Sequence, residues 1–391
     1  MFSTSFRSPV LAPYLGFAAF GAFWGTWGAA IPAIRTQTGL SDGQLGTALL
    51  FVGAGALPSM LLAGRAVDRF GQRAGAVFIA TLGVVGLVVA IAARGPVSLS
   101  IALTALGVAS GATDVAINAA ASSAQTATAS PAVSRSHGIF SVAVVVFSLG
   151  TGALLALGAP IAVPFAVLAT TAMAAAVVLT RFNTPPPAAA EQQKTHRAGA
   201  NHRWGTLGWG SLAVIGGLSA LAFATENAHQ SWSALYLGDV LDASPALAAT
   251  GPAIFAAVVA INRFSTANVG VAHPMLTVTA GALTAATGTI ILALSTAIGV
   301  GLTGLAIAAA GTAVLYPTLV SATAFEANSQ HVRHIRSGRD EKQQDHSHET
   351  GQNPHINHRH APPAPARRVR VPRCWSQPGP HLMGLLRVDH V

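Results

Sequence analysis

Charge is what this sequence has least of. Asp, Glu, Lys and Arg make up 9% of its 391 residues, where a soluble globular domain carries about a quarter. So few charges cannot cover a surface that faces water, which excludes a water-soluble globular chain. Cysteine is equally scarce. Cys374 stands alone, so there is no internal disulfide framework and no cysteine-based metal cluster. The sequence also lacks a Gly-rich loop ending in Lys-Ser/Thr, a nucleophile elbow and a His-Glu-x-x-His helix. ATP-driven pumping and the corresponding hydrolytic chemistries are therefore not indicated. No catalytic residue, cofactor or metal site is expected.

What is present is apolar. Hydrophobic residues make up 51% of the chain, and its 40 glycines are spread through the apolar runs. Small residues let helices approach closely in lipid. The run from Ser8 to Ile34 carries no charge and is too long for a signal-peptide core, so it reads as a spanning helix. Further spans lie between Asp42 and Arg65, between Arg73 and Arg94, and from about Pro96 to Ala120. The stretch between Arg135 and Arg181 has no Asp, Glu, Lys or Arg. It is too long for one crossing of a hydrocarbon core about 30 Å thick, so it predicts two helices broken near Gly158-Ala159-Pro160. That makes six spans within residues 1–182.

A polar segment follows, with Pro185-Pro186-Pro187, Lys194 and Arg197. It reads as a cytoplasmic linker over 183–203. Spans resume around Leu207 to Tyr236, around Ala246 to Ile261, and twice more between Phe264 and Phe325. The expectation is an all-α membrane protein of about ten transmembrane helices in two pseudo-repeat halves, 1–182 and 204–324. Gly39-Leu40-Ser41-Asp42 in the first half is echoed by Leu241-Asp242-Ala243-Ser244 in the second.

The net charge of +9 does not point to nucleic acid once its placement is traced. With a cytoplasmic N-terminus, Arg7, Arg65, Arg69, Arg73, Arg135, Arg181, Lys194, Arg197 and Arg203 all fall on the cytoplasmic side. Only Arg35 and Arg94 fall opposite. That asymmetry sets orientation. The predicted location is the cell (plasma or inner) membrane, multi-pass, with lipid as the solvent and no nucleic-acid partner.

The sharpest motif is Gly64-Arg65-Ala66-Val67-Asp68-Arg69-Phe70-Gly71-Gln72-Arg73, between spans two and three. In this motif the sequence resembles the major facilitator superfamily, whose cytoplasmic loop motif has Gly, then Asp-Arg, then Gly and basic residues. The resemblance covers roughly residues 10 to 324. It implies a gate role for Gly64, Asp68, Arg69, Gly71 and Arg73, with Asp68 contacting a neighbouring helix end. The competing reading is a basic loop that only sets topology. Ala30-Ile31-Pro32-Ala33-Ile34, Gly111 to Ala119 and Ser136-His137-Gly138-Ile139-Phe140-Ser141 resemble a bacterial inner-membrane, fucose-permease-like branch of that family.

Asp114 lies inside an apolar span. Ionisable groups there are costly and usually face the bundle interior. Ser110, Asp114, Asn118 and Ser122 recur every four residues as one polar stripe, beside Gly107 and Gly111. Asp114 and Asn118 are thus candidates for a substrate or proton site, against the plainer reading of a satisfied buried carboxylate. Glu226 is the counterpart in the second half. His229 lies one turn on, where the two could share a proton; alternatively, His229 sits near the membrane surface. Trp24 and Trp27 could stack a planar ligand or simply pack. Trp232 and Tyr236 fit an interfacial aromatic belt.

Two features depart from the family pattern. The second-half copy of the loop motif, Arg263 to Gly270, has Ala267 where Asp is expected. And the family normally has twelve spans, whereas the composition changes near Phe325. Nine of the chain's 14 His lie beyond that point, and residues 325–391 read as a disordered His/Arg/Pro-rich tail. Three origins compete: a shifted reading frame, a metal-buffering extension using His346, His348, His355, His358 and His360, and an ordinary cytoplasmic tail.

The functional expectation is secondary active transport of a small solute, sugar-like or a drug or metabolite. It would be coupled to protons and carried out by a monomer through alternating access. The rival is a truncated, non-transporting remnant or sensor.

Overall fold

The computed structural model describes residues 9–128, 131–181 and 209–319. The linker expected over 183–203 and the tail expected over 325–391 lie outside the described residues. Every regular element within them is a helix. Six come first: α1 Leu11–Thr38, α2 Asp42–Phe70, α3 Gln72–Ala92, α4 Pro96–Thr128, α5 Ala132–Ala156 and α6 Ala162–Thr180. Four follow: α7 Trp209–Asp239, α8 Thr250–Ala272, α9 Pro274–Ala293 and α10 Ile298–Leu319, with a short helical turn, Pro245–Ala248, leading into α8. In lipid every backbone N–H and C=O must be satisfied within the segment, which leaves helices as the solution for such apolar runs.

The break expected near Gly158 is present, and Gly158 takes a positive φ of 78° there. α1 and α2 continue through Pro32 and Pro58. Ser41 caps α2 in a reciprocal capping box with Gln44, and Ser244 caps the turn that leads into α8. Two residues before each serine the backbone is left-handed, at Gly39 (φ 64°) and Asp242 (φ 52°). The echo between the halves is thus conformational as well as sequential.

Arg263 to Gly270, the second-half counterpart of Gly64–Arg73, lies in the last turns of α8, which runs on to Ala272.

Within the first six helices α2 packs on α4, α1 on α5, and α3 on α6. Phe17, Phe23, Trp27, Ile79, Leu103 and Phe165 lie at the centre. The α2–α4 seam depends on glycine. A Cβ at Gly107 would stand 2.0 Å from Val52 O, and one at Gly55 would stand 2.2 Å from Thr104 O. The backbones touch, as small-residue packing in membranes allows. A smaller core gathers Phe255, Val259, Leu292, Leu305, Ala309 and Ala313 from α8, α9 and α10. Large apolar side chains such as Leu50, Leu57, Leu61, Ile101, Val142, Met275 and Leu283 point outward. Such a surface fits lipid, not water.

Candidate functional site

The candidate site is built from charges held inside helices. Glu226 sits on α7, with neither end of the helix near. Its two carboxylate oxygens both accept from one nitrogen of Arg263 on α8: Nη2 lies 2.8 Å from Oε1 and 2.7 Å from Oε2. Arg263 Nε also reaches Ala313 O on α10 at 3.4 Å. The pair is reachable, with side-chain exposures of 37% for Arg263 and 21% for Glu226. Sequence reasoning missed Arg263 as a site residue, treating it as the edge of a span. The signal that could have found it is stoichiometric: Glu226 sits mid-helix and needs a counter-charge, and Arg263 is the one Arg or Lys between Trp209 and Leu319.

His229 is buried on the same helix. Its ring lies parallel to Phe255, with centroids 5.6 Å apart. Nδ1 lies 2.8 Å from Thr225 O, so it carries the proton and donates to that carbonyl. Nε2 lies 3.0 Å from Thr289 Oγ1 on α9. Thr289 Oγ1 is also 2.8 Å from Ala285 O. A hydroxyl has one proton to give, so it donates either to the imidazole or to the carbonyl. Glu226 and His229, expected as a pair, have different partners: Glu226 joins α7 to α8, and His229 joins α7 to α9.

Asp114 is half-buried on α4. Asn118 Nδ2 donates to its Oδ1 at 3.1 Å and to its backbone O at 2.9 Å. The four-residue spacing sets up this contact, since i and i+4 share a helix face. Gly107 and Gly111, on the same helix, meet α2 at Val52, Ala56 and Ser59. Trp27 is 2% exposed and stacks on Phe23, with centroids 6.4 Å apart. Trp24 is half-buried, edge-on to Phe20 and Phe23. Of the two tryptophans, only Trp24 has open surface in this conformation. Tyr236, near the end of α7, donates to Leu292 O at 2.8 Å in the last turn of α9. Thr26 Oγ1 on α1, and Gln230 Nε2 and Ser233 Oγ on α7, are buried without a hydrogen-bond partner among the described residues. Buried orphans cost roughly 1–3 kcal/mol each. Thr26 carried no signal in the sequence, because an isolated threonine in a span usually bonds its own helix.

The Gly64–Arg73 segment is mostly helix. Gly64 to Phe70 form the last turns of α2, and the turn itself falls on Gly71, with φ 57° and ψ −136°. That combination is closed to residues with a Cβ, so glycine is required there. Asp68, Arg69 and Arg73 are exposed. Arg69 lies over the Phe70 ring at 5.3 Å. No ion pair of Asp68 occurs among the described residues.

The two sets of helices meet at one end. Arg35 at the end of α1 bonds Asp42 at the start of α2 (Nε to Oδ1, 3.2 Å) and reaches Asp239 at the end of α7. Ser148 Oγ on α5 donates to Ala249 O at 2.8 Å. Gly28 faces Pro252 and Gln230 O, and Gly46 faces Trp232. Leu235 and Trp232 complete this seal against the first core.

A family profile described as Major Facilitator Superfamily matches residues 14–335. The chain belongs to the major facilitator superfamily. It is thus a multi-pass membrane protein of a transporter family. The match runs past Phe325, where the composition changes. An uncharacterized MFS-type transporter of Yersinia pestis is 28% identical over 251 residues. That match takes in 64% of this chain and 63% of the relative's length, so it spans somewhat less than two thirds of the relative. Two solved structures share the fold. A bacterial homolog to the human lysosomal transporter Spinster, in an inward-facing and occupied conformation, superposes with a TM-score of 0.57 at 17% identity, covering 82% of this chain and 75% of that one. A D-xylose–proton symporter superposes with a TM-score of 0.56 at 15% identity, covering 82% and 87%. The site charges of this chain lie on α4, α7 and α8.

Proposed function

We propose that this major facilitator protein carries out secondary active transport of a small solute, sugar-like or a drug or metabolite, coupled to protons. The observation that carries the reading is the placement of Asp114 and Glu226. Two carboxylates are held within spanning helices, one in each half, and both are partly open. Burying such groups is costly unless they serve a pathway. Asp114, Asn118, Glu226, His229 and Trp24 line the substrate and proton site, with Trp27 buried against Phe23 in this conformation, and Thr26 and Gln230 extend it. Alternating access rocks residues 10–182 against 204–324. Gly64, Asp68, Arg69, Gly71 and Arg73 serve as the gate on the cytoplasmic side. With the N-terminus in the cytoplasm of an inner-membrane protein, the Arg35–Asp239 end is the outer face. The sealed end then makes this the inward-facing state of a monomer of the fucose-permease-like branch.

The test is uptake into proteoliposomes under an imposed pH gradient. Gradient-driven accumulation is expected to be lost in Asp114→Asn and in Glu226→Gln. Accumulation that survives both changes removes the carboxylates from the coupling mechanism. The change of composition near Phe325, where the family resemblance implies two further spans, favours a second reading, a non-transporting remnant or sensor. Absence of flux for every solute tried, from a chain that remains folded, would favour that reading.

A further inference from the structure

We infer that Arg263 is the receptor for the carboxylate of an anionic substrate, and that protonation of Glu226 releases it for that task. The inference rests on the transport reading above and adds the substrate class. It starts from an unused half of a guanidinium. Arg263 offers five N–H donors in a fixed fork, and a carboxylate is best held across two of its nitrogens. Here both Glu226 oxygens converge on Nη2 alone. Nη1 has no partner among the described residues, and Nε has only the 3.4 Å contact with Ala313 O. Arg263 reaches Glu226 on α7 and Ala313 O on α10, and its side chain keeps 37% exposure. A full negative charge gains more from the free, charged Nη1 edge than a neutral acceptor does. A carboxylate fits it.

Charge balance then couples the two ligands. The empty site, Glu226 carboxylate with Arg263 guanidinium, is neutral. The loaded site, Glu226 carboxylic acid with Arg263 holding a substrate carboxylate, is neutral too. The proton comes from solvent and bonds to a Glu226 oxygen. The guanidinium exchanges one carboxylate for another, and no other bond changes. The half-loaded forms carry one unpaired charge, positive with the proton alone and negative with the anion alone. Buried unpaired charge is strongly disfavoured, so the halves reorient only when the site is empty or fully loaded. Proton and anion therefore move together, without net charge.

The surroundings leave Glu226 and Arg263 as the dominant charges. α1 and α8 pack on α7, and their other charged residue is Arg35, at the sealed end. α9 and α10 carry none. His229 on α7 is engaged by Thr225 and Thr289. His137 on α5 lies within electrostatic reach of Arg263.

The experiment uses the purified full chain with matched probes: benzoate against benzamide, and lactate against lactamide. Binding is measured in detergent and flux in proteoliposomes. At least one acid is expected to bind, its amide not, with affinity rising toward acidic pH by up to about tenfold per unit. Glu226→Gln is expected to keep acid binding without the pH dependence and to exchange acid without accumulating it. Arg263→Gln should weaken acid binding on the order of 100-fold, with partial recovery in Arg263→Lys. The neutral pair Glu226→Gln/Arg263→Gln controls for folding, since it leaves no unpaired charge. Equal binding of acids and amides, binding of none of the four, or acid binding that persists in the folded double variant each overturns the inference. Transport of a neutral solute by Arg263→Gln would also overturn it while leaving the transport reading intact. Acid binding through Arg263 without any flux would strike the transport reading and spare the site.

Discussion

Arg35 and Asp239 form an ion pair across 204 positions of sequence, tying the end of α1 to the end of α7. The same guanidinium bonds Asp42 at the start of α2. One side chain thus joins two contacts of different meaning. The bond to Asp42 stays within the first six helices, and the bond to Asp239 spans the two halves. Both are partly exposed, so each is worth at most about 1 kcal/mol. Asp239→Asn is expected to shift the distance distribution between spin labels at the start of α2 and the end of α7 toward longer separations, by up to a few-fold in population. Asp42→Asn should leave it unchanged. High salt should mimic Asp239→Asn. Identical distributions in the two variants would show that the cross-half pair does not latch this face.

The α2–α4 seam predicts a contrast between two glycines. Gly107→Ala drives a methyl group into Val52 O, a backbone atom that cannot swing away. It should destabilise the chain by about 1–3 kcal/mol, read as a lower melting temperature in detergent. Gly64 has open space around its Cβ position and lies within α2. Gly64→Ala should leave stability unchanged or raise it by up to about 1 kcal/mol. Lost flux in Gly64→Ala without a lower melting temperature is the expected mark of a gating role.

Gly71 makes the turn from α2 to α3 in a conformation that only glycine adopts readily. Gly71→Ala should cost about 1–3 kcal/mol through backbone strain alone. Thermal unfolding of the full chain measures it. A neutral result would mean that the turn relaxes into an ordinary conformation.

Thr289 supplies the outer hydrogen bond of His229. Thr289→Val keeps the shape but removes the hydroxyl, leaving Nε2 without a partner. The expected loss is about 1–3 kcal/mol, with the Phe255 stack preserved. A much smaller loss would show that water serves Nε2 instead of the threonine.

The composition beyond Phe325 makes a prediction about the gene. Translating past codon 325 in the other two frames is expected to produce two apolar spans. If neither frame does, a shifted reading frame is ruled out as the origin of that stretch. Zinc binding by the full chain that is lost on replacing His346, His348, His355, His358 and His360 would point to the metal-buffering alternative.

By itself the sequence determined which segments become helices. In lipid each segment must satisfy its own backbone hydrogen bonds, so an uncharged run of sufficient length is a local, sufficient instruction. The break at Gly158 and the mid-helix carboxylates Asp114 and Glu226 were legible for that reason. So was the shared face of Asp114 and Asn118, because four residues of spacing on one helix create it. Tertiary structure decided everything that depends on a partner from another helix. Glu226 could be read as sharing a proton with His229, its neighbour one turn away. Packing instead gave it Arg263, 37 positions on, and sent His229 to Thr289. The same holds for Arg35 and Asp239 at the sealed end. An ion pair between helices depends on their rotation and approach, which come from glycine seams and core packing across the whole bundle, and no local pattern of residues encodes those.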